Sequence, residues 1–352
     1  MIICVGTVLI DCIVTESGTE SVADSITLAP GGEAFNEAVS LARLGEKVLL
    51  IVPAGQDAAG DMIRAMLDRE GIILQADYRG ATPVSLLTVD AAGGRKSRVS
   101  KVHALTGYRP QLPCLDPQLS GSDPQLPSIK SVTFVTMASL FRPPFLDPAD
   151  CLAFARSVKK IPGVRLLADT KLPKGTDPQL ADYRETLALL DWITPNEAEA
   201  LHYTHASSAV EAAEIFRSYG VRNVVIKLAE RGCYVLPEQG EAFTVPAFPV
   251  ECVDGIGAGD AFNAGLIHSL PSGMDLKSDR LLGTNLPSGR LSGTDLHPGQ
   301  LSGTDLRKSV LFASACAAVS VTQRGATAAL QSTAQVEELI NRFCEINGPV
   351  FF

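Results

Sequence analysis

The sequence predicts an α/β fold in which a mostly parallel sheet carries helices on both faces and a smaller β-sheet stands apart from it. Three observations carry that prediction. Short apolar runs alternate with stretches of helical periodicity along most of the 352 residues, the pattern of strands joined by crossover helices. Two segments, 9–29 and 82–104, have strand character with no helix inside them, which sets them apart from the main sheet. Two glycine-rich stretches, at 30–45 and 253–265, each lead into a helix.

The chain begins MIICVGTVLIDCIV, an apolar run with no basic leader or cleavage site, and reads as a first strand at 2–5. The extended stretch 9–29 follows. Over 34–44, Ala38, Leu41, Ala42 and Leu44 form an apolar stripe at helical spacing, closed by Gly45 as C′ residue. A strand at 47–52 and a helix at 58–70 come next, then the stretch 82–104, which contains TPVSLLTVD. Residues 112–128, LPCLDPQLSGSDPQLPS, repeat DPQL, and TDPQL recurs at 176–180; both read as loop expansions. Strands at 131–136 and 164–168 flank a helix at 148–160, and a strand at 191–194 runs into Thr194-Pro195-Asn196-Glu197. That tetrapeptide fits a capping box, with Thr194 as N-cap, Pro195 at the first helical position and Glu197 reaching back. A helix at 208–219 leads to a strand at 223–228. Phe248 to Cys252 alternate like a strand, and Phe262, Leu266 and Leu270 recur at helical spacing, so the glycines between lie on a strand-to-helix turn before a helix at 260–270. From 281 to 306, LLGTNLPSGR, LSGTDLHPGQ and LSGTDL repeat with a period of about ten residues, shorter than solenoid repeats and poor in the apolar area that offsets ordering entropy. Helices at 308–322 and 333–345 close the pattern.

A net charge of −9 argues against nucleic acid or an anionic membrane as main partner, because both need basic surface. The eight cysteines are scattered without metal-ligand spacing, as reduced core thiols would be, and no apolar run approaches the roughly 18 residues of a membrane span. A cytoplasmic protein is expected. No G-x-x-x-x-G-K-[ST] loop occurs, GIGAGD departs from the dinucleotide fingerprint at Asp260, and the five histidines form no zinc pattern.

The stretch VDGIGAGDAFNAG at 253–265 carries the chemistry. Gly255, Gly257 and Gly259 let the backbone turn tightly and leave its N–H groups uncovered at a helix start, a pocket for a phosphate or a developing phosphoryl charge. Asp260 stands at the rim. A carboxylate with a reference pKa of about 3.9 is ionised at neutral pH and can take a hydroxyl proton as the oxygen attacks phosphorus. The competing reading makes Asp260 a first-turn acid that stabilises the helix.

Together with PGGEAFNEAVSLARLG at 30–45, this stretch resembles the two signatures of the PfkB (ribokinase-like) family of carbohydrate kinases. The first matches at Gly31, Gly32, Asn36, Ala38 and Gly45, the second at Asp254, Gly257, Ala258, Gly259, Asp260, Phe262 and Gly265. AGQDAAGD at 54–61, TPNEAE at 194–199, KLAERG at 227–232 and ASACAAVSVTQRGA at 313–326 extend the likeness. The resemblance implies one kinase domain over 1–352, a three-layer α/β/α sandwich. It implies a lid over the sugar site from about 9–29 and 82–104, often a dimer contact, with insertions at about 112–128 and 271–307. It also implies ATP and Mg²⁺, with K⁺ as a further candidate, and a small sugar, sugar acid or similar alcohol as acceptor. A nucleoside kinase on the same scaffold is the alternative, and a non-catalytic sugar-binding regulatory protein is a rival of another class. A vitamin-type kinase fits the diglycine signature less well.

Under that resemblance Asp260 is the base, and the amides of Gly257, Ala258, Gly259 and Asp260 form the anion hole. Asp11 takes sugar hydroxyls, although Leu9 stands where relatives often carry Asn; the bland reading of Asp11 is a turn acid. Gly31 and Gly32 are either turn glycines or the hinge and close-approach surface of the lid. Asn36 is unfavourable inside a helix, which favours a functional use. Asn196 and Glu197 organise Mg²⁺, largely through water, unless Glu197 only caps its helix. Lys227 either nears the phosphates or is a solvated strand-end charge, and Gly232 offers close backbone contact with the nucleotide, with Ala229 where relatives often have Gly. Asp254 and the backbone at Ile256 correspond to a monovalent-cation loop. Lys171 is a weaker phosphate candidate, and Asp169 reads as readily as a strand-end turn acid.

Overall fold

A computed structural model of the chain describes residues 1–15, 25–89, 95–99, 107–113, 131–272 and 303–347. In chain order the first half contains β1 (Ile2–Val5), β2 (Leu9–Thr15), β3 (Ser25–Gly31), α1 (Glu33–Arg43), β4 (Val48–Ala54), α2 (Ala58–Arg69), β5 (Ile73–Tyr78), β6 (Val84–Val89) and β7 (Arg95–Val99). There follow β8 (Phe134–Leu140), α3 (Pro148–Val158), β9 (Arg165–Thr170), α4 (Arg184–Leu187), β10 (Trp192–Ile193), α5 (Glu197–Thr204), α6 (Ala209–Ser218), β11 (Asn223–Lys227), β12 (Cys233–Leu236), β13 (Phe243–Val245), α7 (Ala258–Ser272), α8 (Gly303–Ser320) and α9 (Thr333–Asn347).

Nine strands form the main sheet in the order β13-β12-β11-β10-β9-β8-β1-β4-β5. The run from β11 to β5 is parallel, and β12 and β13 add antiparallel at one edge. The continuous apolar reading of these strands follows from burial on both faces. Along β1, Ile2 and Cys4 enter one core, with Phe35 of α1, Phe262 of α7 and Phe312 of α8. Ile3 and Val5 enter the other, with Phe154 of α3, Tyr203 of α5 and Phe216 of α6. The period-two alternation of a strand thus feeds two cores and fixes the three layers.

The second sheet has the order β3-β2-β6-β7, with β2 and β6 parallel and both outer pairs antiparallel. Its root is pinned to the main body. Asp57 caps α2 by accepting from the Gly60 amide at 2.8 Å, and the same carboxylate accepts from the Thr82 amide at 2.8 Å and the Thr82 hydroxyl at 2.6 Å, just before β6.

The expected helices are present within a few residues of their forecast ends, and Gly45 takes the positive φ of 95° that suits a C′ residue. Three expectations change. Phe248–Cys252 is not a strand: Pro246 and Pro249 supply no N–H for a ladder, and Phe248 buries its ring against Phe343 without a partner strand. The strands at that edge of the sheet are β12 and β13, which precede this stretch in the chain. The capping box belongs to Asn196 and Glu199, two residues further on, because Asn196 has the extended backbone of an N-cap, accepts from the Glu199 amide and is bonded in return. The forecast insertion 271–307 overlaps α7 at its start and α8 from Gly303 onward; its remainder, with most of 112–128, lies outside the described residues. Among the described residues no helix is long and apolar enough to cross a membrane.

Candidate active site

Two clefts open at the carboxyl ends of the parallel strands, where crossover connections leave the sheet. The smaller, about 590 Å³, lies between the small sheet and the loops after β1, β8 and β9. Asp11 and Ser85 face it from the small sheet, and Gly32 and Asn36 from the start of α1. The larger, about 820 Å³, is bounded by the start of α5, the loop after β11, the start of α7 and part of α8. Asn196, Glu197, Lys227, Gly232 and Gly259 line it. Asp260, Gly257 and Lys171 are the residues that line both.

Asp260 sits in the first turn of α7 and is buried. Its Oδ2 accepts from Asn36 Nδ2 at 2.8 Å, and its Oδ1 lies 3.7 Å from the Lys171 ammonium. Burial pushes its carboxyl up to about 6; Glu33 and Asp169 add to the rise, while Lys171 and the Asn36 hydrogen bond oppose it. Gly257, with φ of 82°, turns the chain into the helix, and a β-carbon there would stand 2.5 Å from the Ala326 carbonyl oxygen. The first-turn amides of any helix lack intrahelical acceptors, so those of Gly257, Ala258, Gly259 and Asp260 form a positively polarised end at the junction of the clefts.

Beneath this end lies a buried charge network. Lys227 is not a solvated strand-end charge: its ammonium is 2.9 Å from Asp169 Oδ1, and Lys171 is 3.6 Å from Asp169 Oδ2. Burial alone would raise the Asp169 carboxyl, but the two lysines outweigh it and hold it below the usual range. Burial would likewise strip Lys171 of its proton, but Asp169, Asp260, Glu33 and Glu199 hold it well above its usual range. Glu37, one residue beyond Asn36, is fully buried and accepts from Asn263 Nδ2 at 2.9 Å and from the Thr136 hydroxyl at 2.8 Å. Its carboxyl is pushed up to about 8, first by burial, then by Asp260 and Asp169. Carboxylate oxygens of Glu37, Asp169 and Asp260 lie within 4.8 Å of one another, a spacing that one cation could bridge.

The remaining forecast residues fall around this junction. Asp11, on β2, has its carboxyl raised by burial and partly restored by the Ser85 hydroxyl. Gly31 lies against it on the paired strand, and a β-carbon at Gly31 would strike the Asp11 carboxylate, so glycine keeps that carboxylate in place. Asn36 keeps its Oδ1 buried without a hydrogen-bond partner. Asp254 accepts from the amides of Ile256 and Gly325, both at 3.1 Å, and so ties the loop before α7 to the loop after α8. Glu197 turns its carboxylate to Arg231 at the cleft margin. Glu199, three residues beyond Asn196, is buried and accepts from the Thr170 hydroxyl at 2.9 Å; burial and then Asp169 raise its carboxyl, against Lys171 and Lys227. Sequence reasoning missed Glu37 and Glu199. For Glu199 a signal existed, the N-x-x-E capping spacing; for Glu37 the only signal was an acid within an apolar helix stripe.

Known proteins resemble this chain in sequence and in fold. Residues 1–286 match the family described as pfkB family carbohydrate kinase. A ribokinase of Haemophilus influenzae is 25% identical over 93% of this chain and 92% of its own length. An aminoimidazole riboside kinase of Salmonella typhimurium is 29% identical over 70% of this chain and 75% of its own. The crystal structure of a fructokinase from Vibrio cholerae, in a form with fructose, ADP and calcium ion bound, superposes with a TM-score of 0.70 at 20% identity, covering 96% of this chain and 98% of that one.

Proposed function

From the premise that the chain belongs to the pfkB family of carbohydrate kinases, an ATP-dependent phosphotransferase, we propose that Asp260 is its base and that the two clefts divide the substrates, acceptor in the smaller and ATP in the larger. The observation that carries the reading is the position of Asp260, on the shared wall of both clefts at the start of α7. The acceptor alcohol gives its proton to the Asp260 carboxylate as its oxygen forms a bond to the γ-phosphorus. The bond from that phosphorus to the β,γ-bridging oxygen breaks, and ADP leaves with the electron pair. Amides of Gly257, Ala258, Gly259 and Asp260, with the α7 dipole, steady the charge on the moving group.

Asn36 holds the Asp260 carboxylate with its amide nitrogen, and its orphan Oδ1 accepts a hydroxyl of the acceptor. Asp11 takes further hydroxyls, with Gly31 and Gly32 as the close surface and the small sheet as lid. On the nucleotide side Lys227 and Lys171 offset phosphate charge, and Asn196, Gly232, Gly257 and Gly259 bound the cleft. The hard oxygens of Glu197 and Glu199 beside Asn196 suit Mg²⁺, which would neutralise the phosphates when bound, reached largely through water. A monovalent cation such as K⁺ would sit at the carbonyls of the Ile256 loop, which Asp254 shapes through two backbone amides. Free buried thiols such as Cys4 and Cys316 suit a cytoplasmic setting.

A homodimer through the lid accords with an apolar row on the side of the small sheet away from Asp11. Ile26 is 66% and Leu28 53% exposed, and Leu28 and Leu86 both pair with Cys12. Sedimentation of the wild type and of Leu28→Lys tests this, with a monomeric wild type ruling it out.

The kinase reading is tested by ADP release across sugars and nucleosides. Asp260→Asn should lower turnover by about 10²-fold or more while ATP still binds; near-normal turnover in that variant would refute the role. A pure binding protein on this scaffold would show ligand-induced stabilisation with no ADP release.

A further inference from the structure

The smaller cleft holds two cations that the chemistry above leaves unused. Arg142 follows β8 and Lys174 lies in the loop after β9, and both line the cleft with Lys171. Lys171 lies 3.6 Å from Asp169 and 3.7 Å from Asp260 and already has a part in the phosphotransfer reading. Among the described residues neither Arg142 nor Lys174 is in an ion pair. Two positive groups outside any ion pair thus share one cavity wall, where Glu33 is the carboxylate that acts on both.

Both loops are built rather than loose. Arg142 Nε donates to the Leu172 carbonyl at 2.7 Å, which fixes the guanidinium on the wall and leaves its other N–H groups for a ligand. The turn that presents it is closed by the Phe145 amide on the Arg142 carbonyl at 2.6 Å and the Phe141 amide on the Phe145 carbonyl at 3.0 Å. Phe141 adopts φ of 72° there, a left-handed conformation rarely taken by a bulky residue and found where surrounding packing imposes it. The loop carrying Lys174 is held by the Tyr203 hydroxyl on the Lys171 carbonyl at 2.6 Å and by His202 against Asp177 at 2.9 Å. Lys174 is exposed at the cleft, and its ammonium is held below its usual range by partial desolvation and then by Arg142, against the pull of Glu33, so the two positive groups act on each other. The buried Ser139 hydroxyl, without a hydrogen-bond partner among the described residues, lines the same cleft.

We propose that the smaller cleft takes an acceptor bearing an anionic group, a carboxylate or a phosphate monoester, held by Arg142 and Lys174 while its alcohol lies at Asp260. The assignment of the alcohol end rests on the phosphotransfer reading; the anion subsite does not. Planar guanidinium and ammonium donors side by side are what such oxygens bind, through charge-assisted hydrogen bonds. The rival explanation is that the pair only balances Glu33. That carboxyl already accepts from the Thr7 hydroxyl at 2.5 Å, and Lys171 is the larger positive influence on it, with Arg142 the smaller.

Fructose, 2-ketogluconate and fructose 1-phosphate form a matched set, the same carbon chain with C1 as alcohol, carboxylate or phosphate and the C6 alcohol free. Calorimetric titration of each into the full chain, alongside ADP-release assays, tests the subsite. At least one of the two anions should bind about tenfold or more tighter than fructose. Which one does so identifies carboxylate or phosphate as the source of the charge. Lys174→Gln and Arg142→Gln should each shrink the anion-to-fructose ratio by about tenfold, and Lys174→Glu should bring it below one. Among the described residues Lys174 has no hydrogen bond or ion pair, so its variants decide the matter if Arg142→Gln misfolds. Fructose binding as tightly as both anions, or a ratio indifferent to Lys174, overturns the subsite, and ADP release in that case leaves phosphotransfer standing. Anion-selective binding without ADP release does the reverse.

Discussion

Asp260 shows how one carboxyl serves two demands. A base must be ionised when the acceptor arrives, yet burial pushes this carboxyl up to about 6. Because the working form is the deprotonated one, kcat/KM should be flat above about pH 7 and fall tenfold per unit below about pH 6, read from an initial-rate profile. Glu37 behaves differently, since nothing in the reaction requires it charged. Its folded carboxyl titrates near 8 against 4.5 for the free side chain, so the folded chain keeps a proton that the unfolded chain releases. That stabilisation is fully present below about pH 4.5 and is lost as the pH rises through about 8. Glu37→Gln cannot titrate, so between about pH 5 and 9 the wild-type midpoint should drop relative to the variant in thermal melts. Asp260 was legible in the sequence because glycines and a helix start announce it. Glu37 was not, because its partners Thr136 and Asn263 are brought to it only by the sheet and by α7. The capping box expected at Thr194 and Glu197 falls at Asn196 and Glu199 for a related reason: which acid of a helix's first turn reaches back depends on where the cap falls, and a two-residue error in the cap changes it.

Individual elements were readable where their own residues decide them. Helices α1, α2 and α6 declare themselves by apolar spacing and by a cap or a C′ glycine. The small sheet did so by strand character, but its parallel pairing of β2 with β6 arises from a connection that passes through α1, β4, α2 and β5. The edge strands β12 and β13 were missed because short edge strands differ from turns mainly in having a partner. Asp57 links two elements at once, so Asp57→Ala removes a helix cap and unpins Thr82 together. A loss of about 1–2 kcal/mol in urea unfolding is expected. In the short turn after β11, Ala229 takes φ of 53°. Ala229→Gly should relieve about 1 kcal/mol of left-handed strain, offset in part by added freedom in the unfolded chain, for a small net rise in urea midpoint.

At the scale of the molecule, a mostly parallel sheet with helices on both faces was forecast by alternation alone, and the site falls at the strand ends where such sheets place it. What the linear text withheld was adjacency: that the loops after β8 and β9 form one wall, and that residues 171, 227 and 260 meet around Asp169. Lys171 is held between two carboxylates, one of them on the partition between the chambers. An anionic guest in either chamber would draw on that single ammonium, so each guest should alter the welcome given to the other. Thermodynamic reciprocity then requires that the factor by which the acceptor changes ADP affinity equal the factor by which ADP changes the acceptor's. Replacing Lys171 with Met should move both factors toward one in paired titrations, the signature of two guests conversing through one shared positive charge.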